Sequence, residues 1–188
     1  MVGACPVDQI KFMLKFFSEL KGWEVASLRT QAKIAKVDDF LFDPRNGRIP
    51  AVIVLPKGII GLQNQPLLLP AEDILEWQNK LVFIQDEESL TPPKEIVRLK
   101  ELVDDHFDLI GLRVVTESGQ KIGQVEDYIV ETNLLQINKL VVRRQLWWFF
   151  SFQEVISLKR VISMDEKQVI IKDEEGWVKE AKMKSTPA

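Results

Sequence analysis

The chain has 188 residues, 46% of them hydrophobic, enough for one ordinary core or two small ones. Lysine and arginine number 25 against 28 aspartates and glutamates, a net charge of -3 with a pI near 5.4, so no global basic field is available for coating nucleic acid. One cysteine, Cys5, and one histidine, His106, exclude an intramolecular disulfide framework, a multi-thiolate zinc site and any two-imidazole mechanism; the composition argues against an enzyme and for a reducing cytoplasm.

The first 19 residues form an N-terminal segment. Ile10, Met13, Leu14, Phe17 and Leu20 recur at three-and-four spacing, which predicts an amphipathic helix packed on the core. Lys11, Lys15 and Glu19 interrupt it too often for a membrane span, and no small-residue cleavage site follows a clean apolar run.

Residues 20–88 read as short strands rich in Val, Ile and Phe, broken by turn chemistry at Asp43-Pro44-Arg45-Asn46-Gly47. Residues 89–108 read as a linker. Thr91 as N-cap with Pro92 at the first helical position starts a helix over 94–106, whose apolar face is Ile96, Leu99, Leu102 and Val103. Laid across the strands on either side, it would fix their relative orientation.

Residues 109–178 return to short strands, with turns at Glu117-Ser118-Gly119 and Asp165-Glu166-Lys167. They also repeat the first set. Leu20-Lys21-Gly22-Trp23-Glu24-Val25 aligns with Leu109-Ile110-Gly111-Leu112-Arg113-Val114, and Lys33-Ile34-Ala35-Lys36-Val37-Asp38-Asp39-Phe40 with Lys121-Ile122-Gly123-Gln124-Val125-Glu126-Asp127-Tyr128. The register continues through Arg48-Ile49-Pro50-Ala51-Val52 against Gln136-Ile137-Asn138-Lys139-Leu140 and closes with Leu81-Val82-Phe83-Ile84 against Gln168-Val169-Ile170-Ile171. Two copies of one unit follow. Several strands in so short a unit are best satisfied by a small closed barrel with no unpaired edge, so the fold class is mainly β: two small antiparallel barrels joined by a linker helix. Residues 179–188 form a short polar tail.

The pattern G-x-x-V, a turn, K-I-x-x-V-x-D-hydrophobic, a further turn and a late hydrophobic strand resembles the PRC-barrel, the module of the photosynthetic reaction-centre H subunit and of the C-terminal part of the ribosome maturation factor RimM. In the second copy Gly111, Val114, Gly119, Lys121, Ile122, Gly123, Val125 and Asp127 carry the match. The first copy departs from it with Ala35 at the position of Gly123, and with Gln31-Ala32 where the second copy has its Ser-Gly turn. The resemblance implies a non-catalytic binding or docking module and supplies no catalytic residues.

Little in the chain competes with that reading. Asp104, Asp105, His106 and Asp108 are dense in ligand atoms, but near neighbours on a helix point apart and do not converge on one ion. The acidic pairs Asp38-Asp39 and Glu126-Asp127 fit strand alternation, with the inward member bonded to a turn. Cys5 has no basic neighbour to activate it, and Gly119-x-x-x-Gly123 lacks the Gly-Lys-Ser/Thr ending of a phosphate loop. Catalytic, cofactor and metal sites are therefore assigned to none of its residues.

One run stands out. Arg143-Arg144-Gln145-Leu146-Trp147-Trp148-Phe149-Phe150-Ser151-Phe152 puts consecutive aromatics where a barrel needs a hairpin, and the first copy has aliphatic Pro56-Lys57-Gly58-Ile59-Ile60-Gly61-Leu62 there. Alternation assigns Trp148, Phe150 and Phe152 to the core and turns Trp147 and Phe149 outward, where with Arg143 and Arg144 they make a partner-binding patch or else pack against the linker helix or the first barrel. The expected function is a non-enzymatic adaptor docking onto a protein or membrane-bound assembly. Its place is the cytoplasm, with peripheral contact at the inner face of a membrane as a second option. The alternative is a RimM-like factor that binds a ribosomal protein or RNA. Against that alternative, RimM carries a different N-terminal barrel, whereas here both halves repeat.

Overall fold

The computed structural model describes residues 13–57, 65–105, 107–147 and 150–173. It opens with strand β1 (Leu14–Phe16) and a single helical turn, α1 (Phe17–Leu20). The first barrel follows as β2 (Glu24–Ser27), β3 (Ala32–Leu41), β4 (Ala51–Pro56), β5 (Leu67–Pro70), β6 (Ile74–Gln78) and β7 (Leu81–Ile84), in the spatial order β5-β4-β3-β2-β7-β6. After helix α2 (Lys100–Asp104) come β8 (Arg113–Thr116), β9 (Lys121–Glu131), β10 (Gln136–Trp147), β11 (Phe150–Ser157), β12 (Val161–Met164) and β13 (Gln168–Ile171), in the order β11-β10-β9-β8-β13-β12. The two orders are the same. In each barrel the first and last strands, β2 with β7 and β8 with β13, pair in parallel, and the other neighbours are antiparallel.

The repeated apolar positions are the core. Val25 and Val114, Val37 and Val125, Val52 and Leu140, Val54 and Val142, Val82 and Val169, and Ile84 and Ile171 are all buried, and all belong to one continuous hydrophobic cluster. Strand alternation sends every second residue inward, so each copy fills its own barrel with the same set.

The expected complete closure of each barrel is corrected. Strands β5 and β6 are joined by a 3-10 turn, Ala71–Asp73, and β11 and β12 by its counterpart, Leu158–Arg160, and among the described residues no ladder links either pair. The chain turns a corner there instead of forming a hairpin, which leaves β6 and β12 as edges.

The N-terminal helix is also corrected over its described part. Leu14–Phe16 is extended and pairs antiparallel with β9, Lys15 opposite Val130, because the flank of β9 offers backbone partners that a short solitary helix lacks. Phe17 and Leu20 keep their three-residue spacing and are buried on the single turn that follows. Residues 1–12 lie outside the described residues.

The linker is not one helix. Thr91 exchanges backbone hydrogen bonds with Leu68, at 2.8 and 3.0 Å, so it is held extended and caps nothing. Pro92 is extended too, as a residue before proline must be, and only single 3-10 turns, Pro93–Glu95 and Val97–Leu99, precede α2. The expected apolar face nevertheless packs: Leu99 is buried with Leu41, Ala51 and Leu68 of the first barrel, and Ile96, Leu102 and Val103 lie against them.

The two barrels share an interior seam. Phe17 stacks on Tyr128 with ring centroids 4.7 Å apart and meets Phe40 edge-on at 5.7 Å. The Ser18 hydroxyl donates to Asp127 at 2.5 Å. The Ile49 amide donates to the Leu135 carbonyl and the Ile137 amide to the Gly47 carbonyl, both at 2.8 Å. Ile49 and Ile137 are repeat partners, as are Gly47 and Leu135, so this pair of bonds is related by an approximate twofold axis between Arg48 and Gln136. Both turn residues are left-handed, Gly47 at φ 72° and Leu135 at φ 46°. A Cβ on Gly47 would press on the end of the Leu158 side chain, which would have to shift.

Candidate docking surface

Strand β10 is 12 residues long and β11 is 8, against 6 and 4 for their counterparts β4 and β5. Strand β9 accompanies β10 only as far as the pair Arg143–Gln124, whereas β11 stays paired to Trp147 opposite Phe150. Past Arg143, β10 and β11 therefore run on as a two-stranded ribbon beyond the sheet. Ribbons of this kind have little core of their own to hold them.

Cross-strand pairing sets its faces. Arg144 is opposite Phe152 and Val142 opposite Glu154, so the face that carries buried Val142 inside the barrel emerges with Arg144 and Phe152 at its rim. The Arg144 guanidinium lies 5.8 Å from the centre of the Phe152 ring and 3.9 Å from the Glu154 carboxylate. Phe152 is 41% exposed on this face, and Val155, opposite Val141 on the other face, is 53% exposed. On the other face Arg143 pairs with Glu126, whose second oxygen accepts from the Gln153 amide at 3.0 Å. The bonds from Arg143 and then Gln153 hold the Glu126 carboxyl below its usual range and raise Arg143 above its own.

The structure thus brings Arg143 and Arg144 onto one ribbon, as the sequence suggested, and corrects the face assignment. Alternation does not run through the aromatic stretch, because β10 ends at Trp147 and β11 begins at Phe150; Phe152 is exposed and not in the core. Trp148 and Phe149 lie outside the described residues, as do the side chains of Trp147 and Phe150. The residues that sequence reasoning missed are Phe152 and Val155. The two copies are nearly equal in length here, and the signal that could have found them is the change from a glycine-containing stretch at Pro56–Leu62 to strand formers at Arg143–Phe152.

The other chemical candidates have structural partners. Asp127, 9% exposed, accepts from the Ser18 amide and hydroxyl and from the Tyr128 amide, so it joins α1 to β9. Burial, then the charges of Asp39 and Asp127, push the Tyr128 phenol far above its ordinary value, so it stays neutral in the seam. Asp38 pairs with Lys21 at 3.4 Å, Asp104 pairs with Lys100, and Asp108 accepts from the Ile110 amide. His106 and Cys5 lie outside the described residues, and among the described residues no three of His, Cys, Asp and Glu gather as metal ligands. No helix of the described residues is long and apolar enough to cross a membrane.

A family model described as the PRC-barrel domain matches the chain twice, over residues 13–90 and 104–178. No curated protein matches it.

Proposed function

The chain belongs to the PRC-barrel family, and on that premise we propose that it is a non-enzymatic adaptor, docking onto a protein or membrane-bound assembly by burying the β10–β11 ribbon. One observation supports the reading: the ribbon projects past its sheet with exposed Phe152 beside Arg144, although the shared fold, as β4 and β5 show, is built from much shorter strands. Aromatic and arginine side chains on a projecting edge have the make-up of a binding hot spot. The proposed anchors are Arg143, Arg144, Trp147 and Phe149, extended along β11 by Phe152. A chain with one imidazole and one thiol suits a docking role better than acid-base or nucleophilic chemistry, and the lone cysteine suits a reducing compartment.

Affinity purification of the tagged full chain from soluble and membrane fractions, read by mass spectrometry, tests it. A partner that is lost with Trp147→Ala and with Arg144→Glu/Phe152→Ser, while both variants melt close to the parent, is the expected result. Retention of the same partners by both variants overturns the ribbon as the docking surface, and a set dominated by ribosomal proteins replaces the adaptor with a ribosome-maturation role.

A further inference from the structure

Each barrel turns one sheet face outward, and the two faces are built alike but covered differently. On the first barrel, strand pairing sets Leu41 beside Ala51 and Ile53 beside Leu68. The linker lies over them: Thr91 bonds to the Leu68 backbone, Leu99 is buried with Leu41, Ala51 and Leu68, and Ile96, Leu102 and Val103 pack around it. On the second barrel the same register sets Ile129 beside Lys139 and Val141 beside Val155, and β1 adds Phe16 next to Ile129. Position for position, Ile129 stands for Leu41, Lys139 for Ala51, Val141 for Ile53 and Val155 for Leu68.

Leu68 is 2% exposed under the linker, whereas Val155 is 53% exposed and Phe16 40%. Val141 is buried between them, so the second face is a shallow apolar surface with its two ends open to water. The change from Ala51 to Lys139 decides what kind of cover fits it. Ala51 is fully buried together with Leu99. Lys139 puts a half-buried cation at the same place, in the row that holds Phe16 and Ile129, and it forms no ion pair among the described residues. Its neighbours along β10, Arg143 and Arg144, each have a carboxylate, Glu126 and Glu154. An aliphatic cover alone would strip water from the Lys139 ammonium group and return nothing; a cover with a carboxylate at that point replaces the lost water with a charge-assisted hydrogen bond.

We propose that the outer face of the second barrel, centred on Phe16, Ile129, Lys139 and Val155, is a docking site for a segment of a partner protein in which aliphatic residues surround one carboxylate. The segment takes the place on this face that the linker takes on the first barrel, its aliphatic side chains cover Val155 and Ile129, and its carboxylate meets Lys139 where Leu99 meets Ala51. The site lies on the face opposite Arg144 and Phe152 and stands whether or not those residues dock.

The test is fluorescence anisotropy on the full chain with three labelled peptides, each a copy of residues 90–104: one unchanged, one with Leu99→Glu and one with Leu99→Lys. The Leu99→Glu peptide should bind about tenfold more tightly than the Leu99→Lys peptide, with the unchanged one between them. Lys139→Glu in the protein should reverse that order, and Lys139→Gln, which keeps the stem and removes the charge, should abolish it. Val155→Asp should weaken the Leu99→Glu peptide about tenfold. Lys36→Glu makes the same charge change at an exposed position of the first barrel and should leave the order unchanged. The free chain should be monomeric by light scattering. Failure of the Leu99→Glu peptide to bind, the parent's order of affinities in both Lys139 variants, or a dimer of the free chain that Lys139→Glu disperses, which would give the face to a second copy, would each overturn the proposal.

Discussion

Gly123 and Ala35 stand at the same place in the repeat, yet only one of them has room for a methyl group. A Cβ on Gly123 would collide with the Arg143 carbonyl oxygen and come within 2.8 Å of its carbon, because β10 closes on β9 beside the bulge at Val141 and Val142. Gly123→Ala must push two backbones apart, and a loss of about 2–3 kcal/mol is expected, read as a lower urea midpoint at unchanged slope. Ala35 is fully buried in the first barrel, so Ala35→Gly opens a gap and loosens a strand, at about 1–2 kcal/mol. Glu24 marks a second residue-level contrast. Hydrogen bonds from Lys33 and then Lys57 hold its carboxyl at about 2, against an ordinary 4.5. The folded value is the lower one, so this contribution is complete above pH 4.5 and fades as pH falls toward 2. Lys33→Gln/Lys57→Gln should therefore lower stability at pH 7 and flatten the acid limb of a stability–pH curve by the same amount, a small one because the cluster is exposed.

Among the elements, β1 with α1 and the β10–β11 ribbon make opposite bargains with the core. Phe17 on α1 sits between Tyr128 and Phe40, so Phe17→Ala should lower stability by about 3–5 kcal/mol in a denaturant melt. Phe152 on the ribbon is 41% exposed, and Arg144→Glu/Phe152→Ser should change stability by no more than about 1 kcal/mol; a larger loss would return Phe152 to the core. These same elements show how far the sequence could be read. The strands, and the sameness of their order in the two halves, followed from two aligned sets of apolar positions, since alternation and repetition reinforce each other. The segment at residues 14–16 did not, because its apolar spacing fits a helix and its pairing depends on a flank of β9 more than a hundred residues away. In the linker, the helix start at Thr91 was overridden by a distant partner, Leu68, although the apolar face survived. At the docking surface, the arginines and the surplus of aromatics were legible. The faces were not, because the place where β10 ends and β11 begins falls inside the aromatic run and resets the alternation.

For the whole molecule, the single cluster that runs through both barrels predicts that they unfold together. A calorimetric scan should give one transition whose van't Hoff and calorimetric enthalpies agree, and two resolved transitions would show that the seam adds little. The hydrogen bonds across the twofold axis bear on how such a protein can change over time. They run between main-chain atoms of Gly47, Ile49, Leu135 and Ile137, and the residues on the axis itself, Arg48 and Gln136, already differ. A clasp made of peptide groups is largely indifferent to which side chains hang beside it. Each half can then drift in its outward residues without loosening its hold on the other, so one copy is free to specialise while its sibling keeps to the ancestral scaffold. The lengthened ribbon in the second half is the kind of divergence that such a division of labour permits.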